Sequence, residues 1–242
     1  MSKYICCFSG GKDSTAMLIH IIENKLPLDD IIYCDVGNWI WESAKPHIKQ
    51  VEEKLDVKIN IIDITEELDT GFKRWGFPSF INRWCTGFKR DKMKEYLKKK
   101  YGERERVIQY IGYCSDEEKR TNKKLYSSYE VSYPLVDANI TTGQALEICK
   151  SYGFDFGGVY EHHSHFNCWV CPLQRKQELR WIFDNDKEKW DILRDMQYQT
   201  DGSYYPTETI FDCEKSFWKK HQKELENKRM KARKKYNKRR TE

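Results

Sequence analysis

The chain has 242 residues, 39% of them hydrophobic and 33% charged, and a formal net charge of +5. This length suits one full α/β domain with a sizeable core, alone or with an appendage. No apolar run approaches the roughly 20 residues of a membrane span, and only Met1, Ser2 and Lys3 precede the first strand, so a cytoplasmic protein that does not use the membrane is expected.

Nine cysteines are an odd number, and several sit inside apolar runs. They read as core thiols plus a metal site, not as a disulfide frame. The charge is divided unevenly: residues 214–242 hold 13 Lys/Arg against 4 Glu, and residues 1–213 hold 30 against 34. The tail is either a solvated lysine-rich helix or an arm that follows a phosphate backbone.

Tyr4 to Phe8 contain no charge and suit a buried central strand, while Ala16, Leu18, Ile19 and Ile22 form a helical stripe. Between them stands Ser9-Gly10-Gly11-Lys12-Asp13-Ser14. Its glycines can turn consecutive N–H groups toward one anion at the helix start, which makes a phosphate cradle; a plain tight turn is the competing reading. Neither the Walker A pattern nor G-x-G-x-x-G fits these residues.

Ile31 to Cys34 form a second strand that ends at Asp35. A carboxylate there lies where ligands bind in open α/β sheets, although it can equally cap a turn. A helix over Glu42 to Leu55 starts near Pro46, and Val57 to Ile64 form a third strand. In residues 65–84, a short helical turn is expected at Thr65. Phe72, Trp75, Phe77, Phe80 and Trp84 then crowd together as a satellite core or as a stacking surface for a base. A basic helix runs to about Lys100.

Val107 to Cys114 form a fourth strand, with Asp116 to Arg120 at its end placed to grip a nucleotide or its metal, or simply to start a helix. Val131 to Val136, interrupted by Pro134, form a short fifth. Thr141 or Thr142 caps a helix that Gly153 ends. The alternation predicts an α/β fold with a doubly wound, mainly parallel five-stranded sheet. From Gly157 the pattern stops, and His162, His163, His165, Cys168 and Cys171 precede helices over Gln174 to Phe183 and Asp186 to Gln199. The expected organisation is a nucleotide-binding domain over 1–156, a Cys/His loop with packed helices over 157–212, and a basic helical tail over 213–242.

SGGKDS, placed after the first strand, resembles the pyrophosphate loop of the adenine nucleotide alpha hydrolases. Other segments resemble, in order, the phosphoadenosine phosphosulfate reductase branch of that superfamily. DVGNWIWES is similar to its D-T-G...E-T, RWCTGFKR to its R-x-C-x-x-x-K, GYCSDEEKR to its G-I-x-x-D-E-x-K-R, YPLVDANIT to its Y-P-L segment, and CWVCPL to its metal-ligating C-x-x-C-P. The match covers about residues 4–200. It implies that Ser9, Gly10, Gly11, Lys12, Asp13 and Ser14 hold the phosphates of ATP, with Lys12 and Asp13 taking part in catalysis. Asp35 and Asp116 would lie near the nucleotide, and Arg83, Lys89 and Arg120 would contact phosphate or substrate. The reductases' catalytic E-C-G-L-H motif is missing, and Asp212-Cys213-Glu214 does not match it.

Activation of a substrate oxygen as an adenylate, assisted by Mg²⁺, is the chemistry the resemblance implies. The C-x-x-C pair, Cys168 and Cys171, needs further ligands. The resemblance nominates Cys85, and Cys213 or a histidine among 162, 163 and 165 completes the set. Three or four thiolates favour an iron–sulfur cluster, a Cys/His mixture favours zinc, and a metal-free dithiol pair is a third reading. The expected partners are an adenine nucleotide, a nucleic-acid substrate reached through the basic tail, and a sulfur donor protein. A sulfonucleotide reductase and a non-catalytic nucleotide sensor are the alternatives.

Overall fold

The computed structural model describes residues 2–121 and 129–241, with side chains through residue 233. Contacts divide the chain into two compact units, one of Met1–Phe72 with Arg83–Cys171 and one of Lys73–Asn82 with Pro172–Glu242.

In the first unit, strand β1 (Lys3–Phe8) occupies the centre of the sheet because its apolar residues are covered on both faces: Ile5 and Cys6 are wholly buried. The sheet is five-stranded and parallel, as the alternation predicts. Its order is β3 (Asn60–Asp63), β2 (Asp30–Asp35), β1, β4 (Val107–Tyr110), β5 (Glu130–Ser132). Helices α1 (Lys12–Glu23), α2 (Ala44–Leu55), α3 (Thr65–Trp75), α4 (Trp84–Tyr101), α5 (Pro134–Asp137) and α6 (Thr142–Ser151) complete the unit, save for the last three residues of α3. Parallel pairing brings the ends of β1, β2 and β4, and the loops that follow them, to one edge.

Helix α4 is held across the sheet by a buried carboxylate. The Asp30 side chain, 1% exposed, accepts from Lys100 Nζ at 2.6 Å, Tyr101 Oη at 3.2 Å and Tyr96 Oη at 3.3 Å, and also from Asn60 Nδ2. Beside it, Ile5, Ile32, Leu97 and Val107 form an apolar cluster. Thr141 caps α6 through a reciprocal box with Gln144.

Several segments differ from expectation: the third strand begins only at Asn60, the fourth ends at Tyr110, and two others change character. The turn at Thr65 extends into the eleven-residue α3, whose interior Gly71 weakens the helical signal. A Cβ at that position would meet the Trp84 ring at 2.7 Å and Phe88 at 2.8 Å, so glycine is what lets these rings close on α3. Trp39 meets Phe72 and Trp84 edge-on, giving a satellite aromatic core. The fifth strand stops at Ser132, because Pro134 opens α5 instead of continuing it.

The second unit is helical: α7 (Lys176–Asn185), α8 (Lys187–Tyr198) and α9 (Ile210–Thr241) enclose Leu179, Ile182, Trp190, Leu193, Ile210 and Phe217. Among the described side chains of α9 the buried ones lie at its start, Ile210, Cys213 and Phe217, and Leu225 and Met230 are more than half exposed. Among the described residues no helix is long and apolar enough to cross a membrane.

Candidate nucleotide and metal sites

Gly10 adopts φ +80°, which favours glycine, and Gly11 caps α1 in extended conformation. The loop is drawn closed by its own hydroxyls. Ser14 Oγ accepts from the Ser9 N–H at 3.1 Å, lies 3.0 Å from Ser9 Oγ, and donates to the Gly11 carbonyl at 3.0 Å. Lys12 is 5% exposed, and its Nζ lies 2.6 Å from Asp13 Oδ1. A nearly buried cation at a helix start, flanked by two hydroxyls, suits an anion of high charge.

The loop after β4 reaches this turn through Gly112, whose missing Cβ would stand 3.1 Å from the Asp13 backbone. Cys114 follows and donates to Asp13 Oδ1 at 3.3 Å; burial first, then Asp13, pushes its thiol up to about 12. On the other side Cys149 donates to the Lys12 carbonyl at 3.2 Å, and burial pushes it up to about 12 as well. Both thiols stay protonated at neutral pH, so neither is a ready nucleophile. Asp13, Cys114 and Glu117 bring ligand atoms within 4.8 Å of one another, and the two carboxylates are the hard-cation donors of that group.

Asp116 accepts from the Thr142 N–H and hydroxyl at 2.9 and 2.8 Å. Partial burial pushes its carboxyl up, but those bonds and the Lys12 charge outweigh it and hold the group below the usual range. Asp35 accepts from the Gly37 N–H at 2.9 Å and faces Lys45 at 3.6 Å. Arg120 pairs with Glu117 at 2.6 Å and lies over the Tyr113 ring. Arg83 stands exposed at the cap of α4.

Two residues supporting the loop carry no sequence signal. Tyr160, 148 positions from the loop, accepts the Lys12 N–H at 2.7 Å, and burial first, with Asp13 nearby, holds its phenol protonated. His47, from α2, lies 3.2 Å from Thr15 Oγ1, and its buried Nδ1 has no partner among the described residues. Burial among Phe154, Phe156 and Phe166 lowers its pKa from 6.5 to about 4.

The unfolded chain therefore binds a proton below pH 6.5 that the native state refuses, and stability drops as pH falls from 6.5 toward 4. The expected loss is about 3 kcal/mol over that window. Urea melts between pH 7 and 5 should show this slope in the wild type and lose it in His47→Phe; an unchanged slope would mean that other groups carry it.

Cys168 and Cys171 bracket a turn closed by the Cys171 N–H on the Cys168 carbonyl at 3.0 Å. Trp169 pins that turn to the end of β2: its N–H donates to the Trp39 carbonyl at 3.0 Å and its Nε1 to the Asn38 carbonyl at 2.9 Å. Cys85 lies in the first turn of α4, and Trp84, which opens that helix, packs on Trp39. Burial raises the Cys168 pKa, Lys89 pulls it back and Cys85 raises it further, so the two thiols and the ammonium share one neighbourhood. Cys34 is half-buried at the end of β2, with Sγ 3.8 Å from the Lys89 carbonyl. Cys213, the fourth thiol expected for this group, lies wholly buried in the second unit, where burial and then Glu208 push it up to about 12.

Cys85, Cys168 and Cys171 offer the soft thiolate donors that an iron–sulfur cluster or zinc takes. Three partly exposed thiols and a nearby cation suit an anionic cluster held by spread cysteines.

Comparison with known proteins supplies a family. The chain is 24% identical over 199 residues to an uncharacterized protein of Methanocaldococcus jannaschii, an alignment covering 78% of this chain but only 41% of that relative's length. The U34-tRNA thiolase NcsA from Methanococcus maripaludis, solved with its [4Fe-4S] cluster, superposes with a TM-score of 0.46 at 14% identity, covering 82% of this chain and 71% of that one. The family model of the phosphoadenosine phosphosulfate reductase domain matches residues 3–135. That match spans the loop, the whole sheet and the segment carrying Cys85, and the chain belongs to the phosphoadenosine phosphosulfate reductase domain family.

Proposed function

We propose that the chain is an ATP pyrophosphatase that adenylates a carbonyl oxygen of a nucleobase in a nucleic acid and so prepares that position for sulfur. The observation that carries this reading is Lys12, a 5% exposed cation at the first turn of α1, set against a glycine turn and two hydroxyls. Attack of the substrate oxygen on the α-phosphorus forms one O–P bond and breaks the bond to pyrophosphate, which leaves with the excess charge. Lys12, the loop N–H groups and the hydroxyls of Ser9 and Ser14 offset that charge.

Asp13 and Glu117 would hold Mg²⁺, a Lewis acid on the leaving group when bound. Asp35 and Asp116 border the nucleotide in this reading, and Arg83, Lys89 and Arg120 steer phosphate or substrate. AMP on the base oxygen is a good leaving group, and incoming sulfur displaces it as the C–O bond breaks. Cys85, Cys168 and Cys171 would ligate an iron–sulfur cluster, which when bound holds or delivers sulfur from a donor protein. The basic α9 arm would follow the nucleic-acid backbone, and the cytoplasm is the expected compartment. A sulfonucleotide reductase is disfavoured because Cys213, the nearest candidate nucleophile of the C-terminal segment, is wholly buried with its thiol pushed up.

The test is release of AMP and pyrophosphate from ATP when tRNA or single-stranded DNA is added. ATP binding that never yields AMP would identify a sensor instead. Deleting residues 219–242 should weaken nucleic-acid binding and flatten its salt dependence, since fewer phosphate contacts release fewer counterions; equal affinity without the tail would make α9 a solvated helix.

A further inference from the structure

One turn in the second unit exposes what a fold normally covers. Phe80 is 76% exposed and Ile81 fully exposed, yet the turn that presents them is tightly built. The Ser79 N–H donates to the Asn82 carbonyl at 3.0 Å, and the Asn82 N–H donates back to Ser79 Oγ at 3.0 Å. Its stem is locked: Gly76 has φ +67° and leaves no room for a Cβ, which would stand 2.5 Å from Thr200 Oγ1. Phe77, 7% exposed, meets Tyr204 edge-on at 5.0 Å. A rigid support therefore carries two large apolar side chains into water.

The charge around this tip says what covers it. Residues 73–83 contain Lys73, Arg74 and Arg83 and no carboxylate. An acidic or neutral protein surface would satisfy either the apolar tip or the cations. A strand whose phosphates meet the cations while an unpaired base stacks on the ring satisfies both.

We propose that Phe80 and Ile81 form a wedge that stacks on an unpaired base of a single-stranded or looped nucleic acid, with Lys73 and Arg74 on the adjacent phosphates. The wedge rests on the nucleic-acid reading above and names the surface that recognises an unstacked base. Base stacking on an aromatic ring is worth about a tenfold change in affinity or more. It carries little salt dependence, because no counterion is released by it.

The experiment is fluorescence anisotropy with labelled twelve-nucleotide single strands, RNA and DNA, on the full chain across a salt series. Phe80→Ala should weaken binding about tenfold with an unchanged salt slope, Phe80→Trp should bind as well as the wild type, and a fully paired duplex should be insensitive to either change. Melting temperatures should not move, because the side chain contributes little to packing. Wild-type affinity in Phe80→Ala would overturn the wedge and leave the nucleic-acid reading standing. No binding by the wild type at low salt would remove both. A wild-type dimer in light scattering that Phe80→Ala dissociates would assign the tip to a second copy of the chain instead.

Discussion

Lys12→Ala abolishes nucleotide turnover while the chain stays folded. Lys12 is 5% exposed and its ammonium has Asp13 Oδ1 at 2.6 Å, so little water screens the charge it offers to pyrophosphate. Removing one such preorganised charge donor costs on the order of 10²–10³ in rate. The fold survives because Lys12 is the first residue of α1, where alanine is favourable, and because Asp13, a quarter exposed, is left facing solvent and not apolar packing. Production of AMP from ATP with the active nucleic acid should fall by at least about a hundredfold. The far-ultraviolet spectrum and melting temperature should match the wild type. Full activity in this variant would take the loop out of the mechanism, and a variant that fails to fold would be replaced by Lys12→Met, which keeps the stem.

The sheet could be read from the sequence because buried parallel strands announce themselves: Tyr4 to Phe8 and Ile31 to Cys34 are apolar runs that no helix stripe explains. The helix α3 could not, since the glycine that admits Trp84 is also the residue that weakens a helical reading. The loop's own residues, Ser9 to Ser14, are contiguous, so local spacing places them together. Its supports are not contiguous. Tyr160 and His47 reach it from other elements, and nothing in their neighbourhoods distinguishes them from ordinary core aromatics. Gly112 belongs with them: a lone glycine after a strand acquires meaning only once its Cα is seen against the Asp13 backbone. Phe80 stands in an aromatic run that reads either as a satellite core or as a stacking surface, and only the fold shows that it and Ile81 are exposed while Phe77 and Trp84 are buried.

On the proposed reading, replacing Cys168 or Cys171 by serine should abolish iron binding. The two thiols sit on one turn closed by a backbone hydrogen bond, and Trp169 fixes that turn to the carbonyls of Asn38 and Trp39. The ligand positions are therefore held by the fold, and serine keeps the turn while withdrawing the soft donor that iron–sulfur chemistry needs. Burial raises the Cys168 pKa overall while Lys89 pulls against it, and a metal that binds the thiolate would displace its proton. Protein purified anaerobically should be brown and contain iron and sulfide. Cys85→Ser, Cys168→Ser and Cys171→Ser should each lose most of both, with the visible absorption, whatever their activity. Cys114→Ser and Cys149→Ser should keep them, because those thiols are engaged with Asp13 and the Lys12 carbonyl and stay protonated. Cys213→Ser decides the fourth position: loss of iron there would require the second unit to complete the site, whereas full retention leaves three cysteines and one open coordination position. Stoichiometric zinc in a colourless wild-type sample would reject the cluster and return the turn to a structural metal.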